Sequence, residues 1–126
     1  MSTHAQANFC RGELATALRK GPYQVNILLG GFDKKQGGSL YFLDHMASLQ
    51  KVPYGSQGYA SNFCLSIMDR AYLPGQCTEE AALKIIRQCI AELKIRFLLS
   101  QPNFIIKVVD KDGVRVVDFG ADPADN

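Results

Sequence analysis

The stretch Lys51-Val-Pro-Tyr-Gly-Ser-Gln-Gly-Tyr-Ala-Ser61 decides the fold, because it leads from strand-forming residues directly into a helical pattern over 62–72. Upstream lie two apolar runs, 25–32 and 40–46, joined by the turn-forming Asp33-Lys-Lys-Gln-Gly-Gly38. Glycine supplies the positive φ angles that such a turn needs. The order of strand, loop, strand, glycine bend and helix predicts one half of a layered sheet-and-helix domain. Only one helix precedes it, so we expect the chain to be the back half of something larger.

Composition bounds the class of protein. With 126 residues and 47% apolar content, the chain fits one domain with a sizeable core. The net charge of +2 is spread without a basic stripe, which argues against nucleic acid or an anionic membrane as partner. No apolar run approaches the roughly 20 residues that span a bilayer, and no signal peptide is evident. We therefore expect a protein of the cytoplasm and nucleus.

The cysteines and histidines give no pattern typical of a metal site. The four cysteines lie far apart without a C-x-x-C pair, which favours reduced core residues over disulfides. Only two histidines, His4 and His45, are available as ligands or bases. The sequence therefore predicts no metal site and no cofactor. The cysteines are Cys10, Cys64, Cys77 and Cys89.

Apolar periodicity predicts the elements of the first part of the chain. Thr3 is the expected N-cap of the first helix, which Gly21-Pro22 ends. The first strand is apolar on both faces, so we expect it to be covered on both faces. The predicted elements are a helix over 5–20, strands over 23–33, 39–46 and 47–52, and a helix over 60–72 with two apolar rows.

The longest predicted element is a helix over 78–99. Thr78 is its expected N-cap, and Glu79 and Glu80 follow where the helix dipole favours negative charge. Strands over 104–109 and 114–119 follow around the turn Asp110-Lys-Asp-Gly113, and 120–126 is expected to be a flexible tail. The predicted buried stripe of the helix is Ala82, Ile86, Cys89, Leu93 and Phe97.

Local motifs offer no catalytic constellation. Gly55-Ser-Gln-Gly58 lacks the G-x-S-x-G spacing of a nucleophile elbow, so a Ser-His-Asp triad is disfavoured. His45, beside Asp44 at a strand end, is better explained by a structural hydrogen bond. Asp110 and Asp112 lack the further ligands of a calcium loop and fit a hairpin turn instead. No phosphate-binding or dinucleotide-binding glycine pattern is present. We predict no catalytic, cofactor-binding or metal-binding residue.

Several motifs in the same order and spacing resemble a proteasome β-type subunit of the non-catalytic kind. The resemblance extends from about Thr3 to Phe119, and agreement of many motifs is more specific than any single one. The segments that carry it are 8–19, 22–33, 40–44, 58–61, 65–70, 89–93 and 104–112.

The resemblance implies an α+β, N-terminal-nucleophile-hydrolase-like fold: a four-layer αββα sandwich, of which this chain is the C-terminal part. Residues 1–119 would belong to this domain and 120–126 to the tail. The resemblance also implies a β ring enclosing the proteolytic chamber of the 20S core particle, in ATP- and ubiquitin-dependent protein degradation. The implied partners are other β subunits of the ring, α-ring subunits and β subunits of the opposite ring.

The departures from the catalytic members concern the nucleophile. Those members use an N-terminal threonine with an aspartate and a lysine from the first strands, a region with no match here. Thr3 is no substitute, because it precedes a helix. Ser61 matches a serine near that nucleophile. Where those members have Arg-Asp-Ala-Tyr-Ser, this chain has Arg96-Phe-Leu-Leu-Ser100, so Phe97 replaces the carboxylate and Ser100 keeps the serine.

Three functions follow from these observations. The leading hypothesis is a non-catalytic, structural β subunit in which Phe97, Ser61 and Ser100 are structural and loops such as 54–59 are candidate contacts. The alternative is an active threonine protease subunit whose nucleophile lies in a missing half, and the third is an unrelated binding module. We expect the chain alone to expose sheet edges and apolar faces, as an incomplete sequence or truncated product would.

Overall fold

The computed structural model describes residues 1–96 and 104–118, which belong to two compact units. The first unit comprises 1–53 and the described residues of 103–126, and the second the described residues of 54–102. Helices and strands are mixed, as predicted. In chain order the elements are α1 (Thr3–Ala17), β1 (Ile27–Asp33), β2 (Gly37–Leu43), β3 (Leu49–Lys51), α2 (Ser61–Ala71), α3 (Glu79–Arg96), β4 (Ile106–Asp110) and β5 (Gly113–Val117).

Helix α1 starts two residues earlier than predicted. Ser2, and not Thr3, is its N-cap, because the Ser2 hydroxyl accepts a hydrogen bond of 3.0 Å from the Ala5 N–H. The Thr3 N–H donates to both carboxylate oxygens of Asp33, at 3.2 Å each. A negative charge beside the first turn is favourable for the helix dipole. The start of α1 is therefore held by its own cap and by the end of β1.

Thr3 also fixes how closely α1 approaches the sheet. Its side chain is buried, with 6% of the residue exposed. A Cβ placed on Gly31 would lie 2.2 Å from the Thr3 Oγ1 and 2.7 Å from its Cγ2, so only glycine fits there. Further along the helix, Leu14 packs with Leu43 and Ala47 in the core of this unit. One face of the sheet is thus covered by α1.

The first sheet is an antiparallel meander in the order β1-β2-β3. The β1–β2 turn ends at Gly37, which has a φ of +75°, as the glycine-rich loop predicted. The prediction that β1 begins at residue 23 was wrong. Its first paired residue is Ile27, opposite Leu43, and beyond Leu43 the chain turns away at Asp44. In the described part of the chain, no strand pairs with 23–26, and β2 does not continue to 46.

The expectation that β1 is covered on both faces is not met within the described residues. Burial alternates along the strand, and Leu28 and Phe32 are each 37% exposed. Their cross-strand partners Phe42 and Gly38 lie on the same face, opposite the face that carries Gly31. This second face is apolar and only partly covered.

In the second unit, both predicted helices are present. Helix α2 agrees with the predicted 60–72 to within one residue at each end. The Thr78 hydroxyl accepts a hydrogen bond of 3.2 Å from the Ala81 N–H at the start of α3, which confirms the predicted cap. The predicted continuation of this helix to 99, and Phe97, lie outside the described residues. The core consists of Cys64, Ile67, Met68 and Cys89, with Ile85, Ile86 and Leu93 packed against it.

The β4–β5 hairpin confirms the predicted turn. The Asp112 N–H donates to the Asp110 carboxylate at 2.8 Å, and Gly113 has a φ of +109°. The Arg115 guanidinium lies 3.3 Å from the same carboxylate. Strand β4 also lies against β1 and β2. Strand β4 begins two residues after the predicted 104 and ends one residue after 109, and β5 begins one residue before the predicted 114. The predicted end at 119 and the predicted tail at 120–126 lie outside the described residues. The prediction of one domain over 1–119 stays a prediction.

We expect Gly31→Ala to destabilise the chain by about 1–3 kcal/mol, because its methyl group would overlap the buried Thr3 side chain. Gly30→Ala is the matched control, since its Cβ would meet only the Leu40 Cδ1, at 3.8 Å. Urea unfolding of the full chain and both variants measures the difference. Equal losses of stability would show that the approach of Thr3 does not require glycine.

The cysteines should differ sharply in reactivity. All four are free thiols; Cys77 is exposed, whereas Cys64 and Cys89 are buried. Burial raises the pKa of the Cys89 thiol to about 12, so little of the reactive thiolate forms near neutral pH. We expect iodoacetamide to modify Cys77 first, and Cys64 and Cys89 only after unfolding, as followed by peptide mass spectrometry. Modification of Cys89 as fast as Cys77 would contradict the buried core.

Candidate functional site

Two of the residues that the resemblance connects with catalysis lie at the starts of helices in the described structure. Thr3 is the buried first residue of α1, and its N–H is bonded to Asp33. Ser61 is the first residue of α2, where its N–H donates to the Gly58 carbonyl at 3.2 Å. Ser100 and Phe97 lie outside the described residues, so their predicted roles stay predictions.

Neither histidine is placed as a general base. The His4 ring lies 3.1 Å from the Asn8 side-chain amide and packs against the ring of Tyr41. Just after β2, the His45 backbone N–H donates a hydrogen bond of 3.1 Å to the Asn26 side-chain oxygen. The structural hydrogen bond predicted for His45 is therefore made by its backbone and not by its ring.

Acidic side chains at the turns are engaged in local structure. The Asp44 carboxylate accepts hydrogen bonds of 2.9 Å from the N–H groups of Met46 and Ser48, which stabilises a bend where Ala47 has a positive φ of 61°. Asp110 stabilises the β4–β5 turn in the same way. Within 1–96 and 104–118, no group of three or more His, Cys, Asp or Glu side chains could hold a metal ion. The predicted absence of metal and cofactor sites stays a prediction.

The loop over 54–59, predicted as a candidate contact, contains one packed and one exposed tyrosine. Tyr54 packs against the core of its unit, with its ring centroid 5.2 Å from that of Tyr72. Its hydroxyl donates to the Asp69 carboxylate, and this hydrogen bond raises the pKa of Tyr54. Tyr59, by contrast, is 87% exposed. Of these two tyrosines, Tyr59 exposes the larger fraction of its surface for contact with another protein.

The β4–β5 hairpin exposes a second apolar surface, which the sequence analysis did not single out. Val114 and Val116 are each 66% exposed, and the pairing of Val109 with Val114 places these valines on one face. Soluble monomers rarely expose contiguous apolar patches unless they are contact sites. The alternation of side chains along a strand could have revealed this face, had the register of the hairpin been known. We call Val109, Val114 and Val116 the valine face.

None of the described helices has the length and hydropathy needed to cross a membrane. The described structure has exposed apolar side chains on its strands and on the loop over 54–59. The carboxylates of Asp44 and Asp110, at its turns, accept hydrogen bonds from backbone N–H groups.

Comparison with known proteins identifies the family. The family model for the proteasome subunit matches residues 1–109. The chain belongs to the proteasome subunit family. The match covers most of the chain and confirms the resemblance that the sequence motifs indicated.

Individual relatives are β-type subunits. The chain is 52% identical over 125 residues to proteasome subunit beta type-2-B of Arabidopsis thaliana, a match covering 99% of this chain and 62% of that protein. It is 52% identical over 115 residues to proteasome subunit beta type-2 of Oryza sativa, covering 91% of this chain and 54% of that protein. It is also 41% identical over 120 residues to proteasome subunit beta type-4 of Saccharomyces cerevisiae, covering 94% and 60%.

The length of these relatives bears on function. The chain spans between 54% and 62% of the three curated relatives it matches here. The chain is thus similar to a part of each relative, and the activity, substrates and partners of a whole subunit are matters for a proposal.

Tyr54 should ionise at a higher pH than a free tyrosine, whose pKa is about 10. Because the folded pKa is raised, the stabilising contribution is present below the unfolded pKa and is lost as the pH rises through the folded value. Asp69→Asn removes the carboxylate and should return the pKa of Tyr54 towards its ordinary range. Ultraviolet titration measures this, with Tyr54→Phe to assign the transition. An unchanged transition in Asp69→Asn would contradict the assigned cause.

Proposed function

We propose that this chain acts as a non-catalytic, structural β subunit of the 20S proteasome core particle. Its work is to build the wall of the β ring that encloses the proteolytic chamber, in ATP- and ubiquitin-dependent protein degradation. The observation that carries the proposal is the 52% identity to a beta type-2 subunit across 99% of the chain. The exposed apolar surfaces of the described structure support a role in assembly.

A four-layer αββα sandwich is the fold we propose for the complete domain. The β1-β2-β3 sheet has α1 on one face, as an outer helical layer requires. Its other face carries the half-exposed apolar side chains of Leu28 and Phe32, which suits packing against a second sheet. The β4–β5 hairpin is a two-stranded sheet among the described residues, and such a hairpin gains stability from further strands or a packing partner.

The non-catalytic role is supported by the residues that replace catalytic ones. Phe97 stands where catalytic members have an aspartate. A phenyl ring cannot accept a proton, and it cannot orient another group by accepting a hydrogen bond as a carboxylate does. Thr3 opens a helix and not a strand, and its N–H is bonded to Asp33. Of these two residues, Thr3 is described by the structure, and its side chain is buried. The subunit contributes architecture, and peptide hydrolysis belongs to other members of the ring.

The proposed partners follow from this role. They are neighbouring β subunits of the same ring, α-ring subunits, and β subunits of the opposite ring, in the cytoplasm and nucleus. Tyr59 and the valine face are the contact residues that we propose for these partners or for the remainder of the sandwich, because both leave large apolar areas exposed.

An assembly experiment tests the proposal. An affinity-tagged chain is expressed in Arabidopsis cells, whose beta type-2 subunits are 52% and 53% identical to it. We expect it to sediment with a large particle that contains other proteasome subunits, identified by mass spectrometry. A tagged chain that sediments as a stable monomer without those subunits, or that hydrolyses peptides when purified alone, would overturn the proposal.

Val114→Asp should reduce incorporation into that particle about tenfold, because the cross-strand neighbour of Val114 is Val109 and a carboxylate without a charged partner in an apolar interface costs several kcal/mol. Lys111→Asp is the control, since it places the same carboxylate at the exposed tip of the same hairpin. Quantitative mass spectrometry of the particle fraction measures both. Equal incorporation of the Val114→Asp chain and the wild-type chain would exclude the valine face from the assembly.

A further inference from the structure

A polar groove lies between α2 and α3 in the second unit. Its volume is about 290 Å³, and it is open to solvent. Asn62, Ser66 and Arg70 follow one another at intervals of four residues, so they form one row along α2. Glu92 and Arg96 have the same spacing on α3, and the apolar side chain of Phe63 lies among these polar groups.

Of the charged side chains that line the groove, two form an ion pair with one another and one does not. The Arg96 Nε lies 2.7 Å from a Glu92 carboxylate oxygen, so these two side chains neutralise one another. Within residues 1–96 and 104–118, the Arg70 guanidinium has no hydrogen-bond or ion-pair partner. The Ser66 hydroxyl donates to the Asn62 carbonyl at 3.0 Å, whereas the Asn62 side-chain amide has no partner in the described part of the chain. The groove therefore presents one uncompensated positive charge and one free amide.

We propose that this groove binds the carboxylate of an aspartate or glutamate side chain from a partner polypeptide. The planar guanidinium of Arg70 can donate two parallel hydrogen bonds to a carboxylate, which a lysine could not. The Asn62 amide, in the same row of α2, adds a neutral donor. Phe63 and Ile67 offer apolar surface to the stem of the acidic side chain or to its neighbours.

The same geometry disfavours more highly charged anions. Glu92 lines the groove and places a negative charge beside its arginines. A single carboxylate is matched by the one unpaired guanidinium, whereas the second charge of a phosphate dianion would be left without a cation in the groove. An acidic peptide is thus favoured over a phosphopeptide or nucleic acid. The inference rests on the proposed function only for the source of the carboxylate, which would be a neighbouring subunit.

A direct binding measurement tests the groove without any assembly. The probe is a fluorescein-labelled hexapeptide with two glutamates, compared with the same peptide carrying glutamines. We expect fluorescence anisotropy to show binding of the glutamate peptide only, and Arg70→Gln to weaken it about tenfold. Arg87→Gln is the matched control, because Arg87 is exposed on α3 and does not line the groove. Circular dichroism checks that both variants keep their helices.

The possible outcomes distinguish failure of the proposed carboxylate site from failure of the proposed function in assembly. Equal binding of both peptides, an equal effect of Arg70→Gln and Arg87→Gln, or stronger binding of inorganic phosphate would overturn the carboxylate assignment. None of these results would affect sedimentation with a proteasome particle. Conversely, a chain that binds the glutamate peptide through Arg70 but never enters the particle would retain the groove and refute the proposed function.

A photo-crosslinking measurement covers the case in which the purified chain aggregates. Benzoylphenylalanine at position 66 replaces Ser66 in the tagged chain expressed in cells, and mass spectrometry locates the crosslinked peptide. We expect an acidic residue at or next to the crosslinked position, and loss of this crosslink in Arg70→Gln but not in Arg87→Gln. Crosslinks only to segments without acidic residues, or a crosslink indifferent to Arg70→Gln, would contradict the proposal.

Discussion

The contact of Thr3 with Gly31 and Asp33 is the constraint on which the first unit depends. It fixes the start of α1 against the end of β1, and thereby sets the distance of the helix from the sheet. Thr3, Ala7 and Leu14 are the buried residues of α1, and their spacing places them on one stripe. A side chain at Gly31 would push this stripe away from the sheet and loosen the helix along its whole length.

Aspartates perform much of the local organisation in both units. Asp33 binds the first turn of α1, Asp44 stabilises a bend, Asp69 accepts from Tyr54, and Asp110 stabilises a hairpin turn. Each carboxylate is used where the backbone or a phenol would otherwise lack a partner, and such bonds to charged groups are stronger than neutral ones. The valine face, in contrast, has exposed apolar side chains. In this structure, acidic groups maintain the fold, and the apolar surfaces remain available for association.

Sequence patterns predicted what depends on neighbours along the chain. The helix over 60–72, the start of the helix after Thr78, the Thr78 cap and both glycine turns were correct, because periodicity, capping and positive φ are local properties. Strand ends were wrong, since β1 begins only where β2 provides a partner, at Ile27 opposite Leu43. The contact of the Thr3 N–H with Asp33, thirty residues away in sequence, is likewise not a local property. The Arg70 groove requires two helices to pack together, which no single helical pattern reveals.

Both the family of this chain and its local structure direct attention to its exposed surfaces as sites of association. The chain matches the proteasome subunit family over residues 1–109. What the described residues contribute is shape: a sheet with one apolar face still half exposed, a hairpin with exposed valines, and a helix pair with an unpaired arginine. Apolar faces supply the free energy of association, whereas a charged groove selects among partners by charge. The proposed ring of related subunits would need both, because subunits that share a fold also share its apolar faces and are told apart by polar contacts.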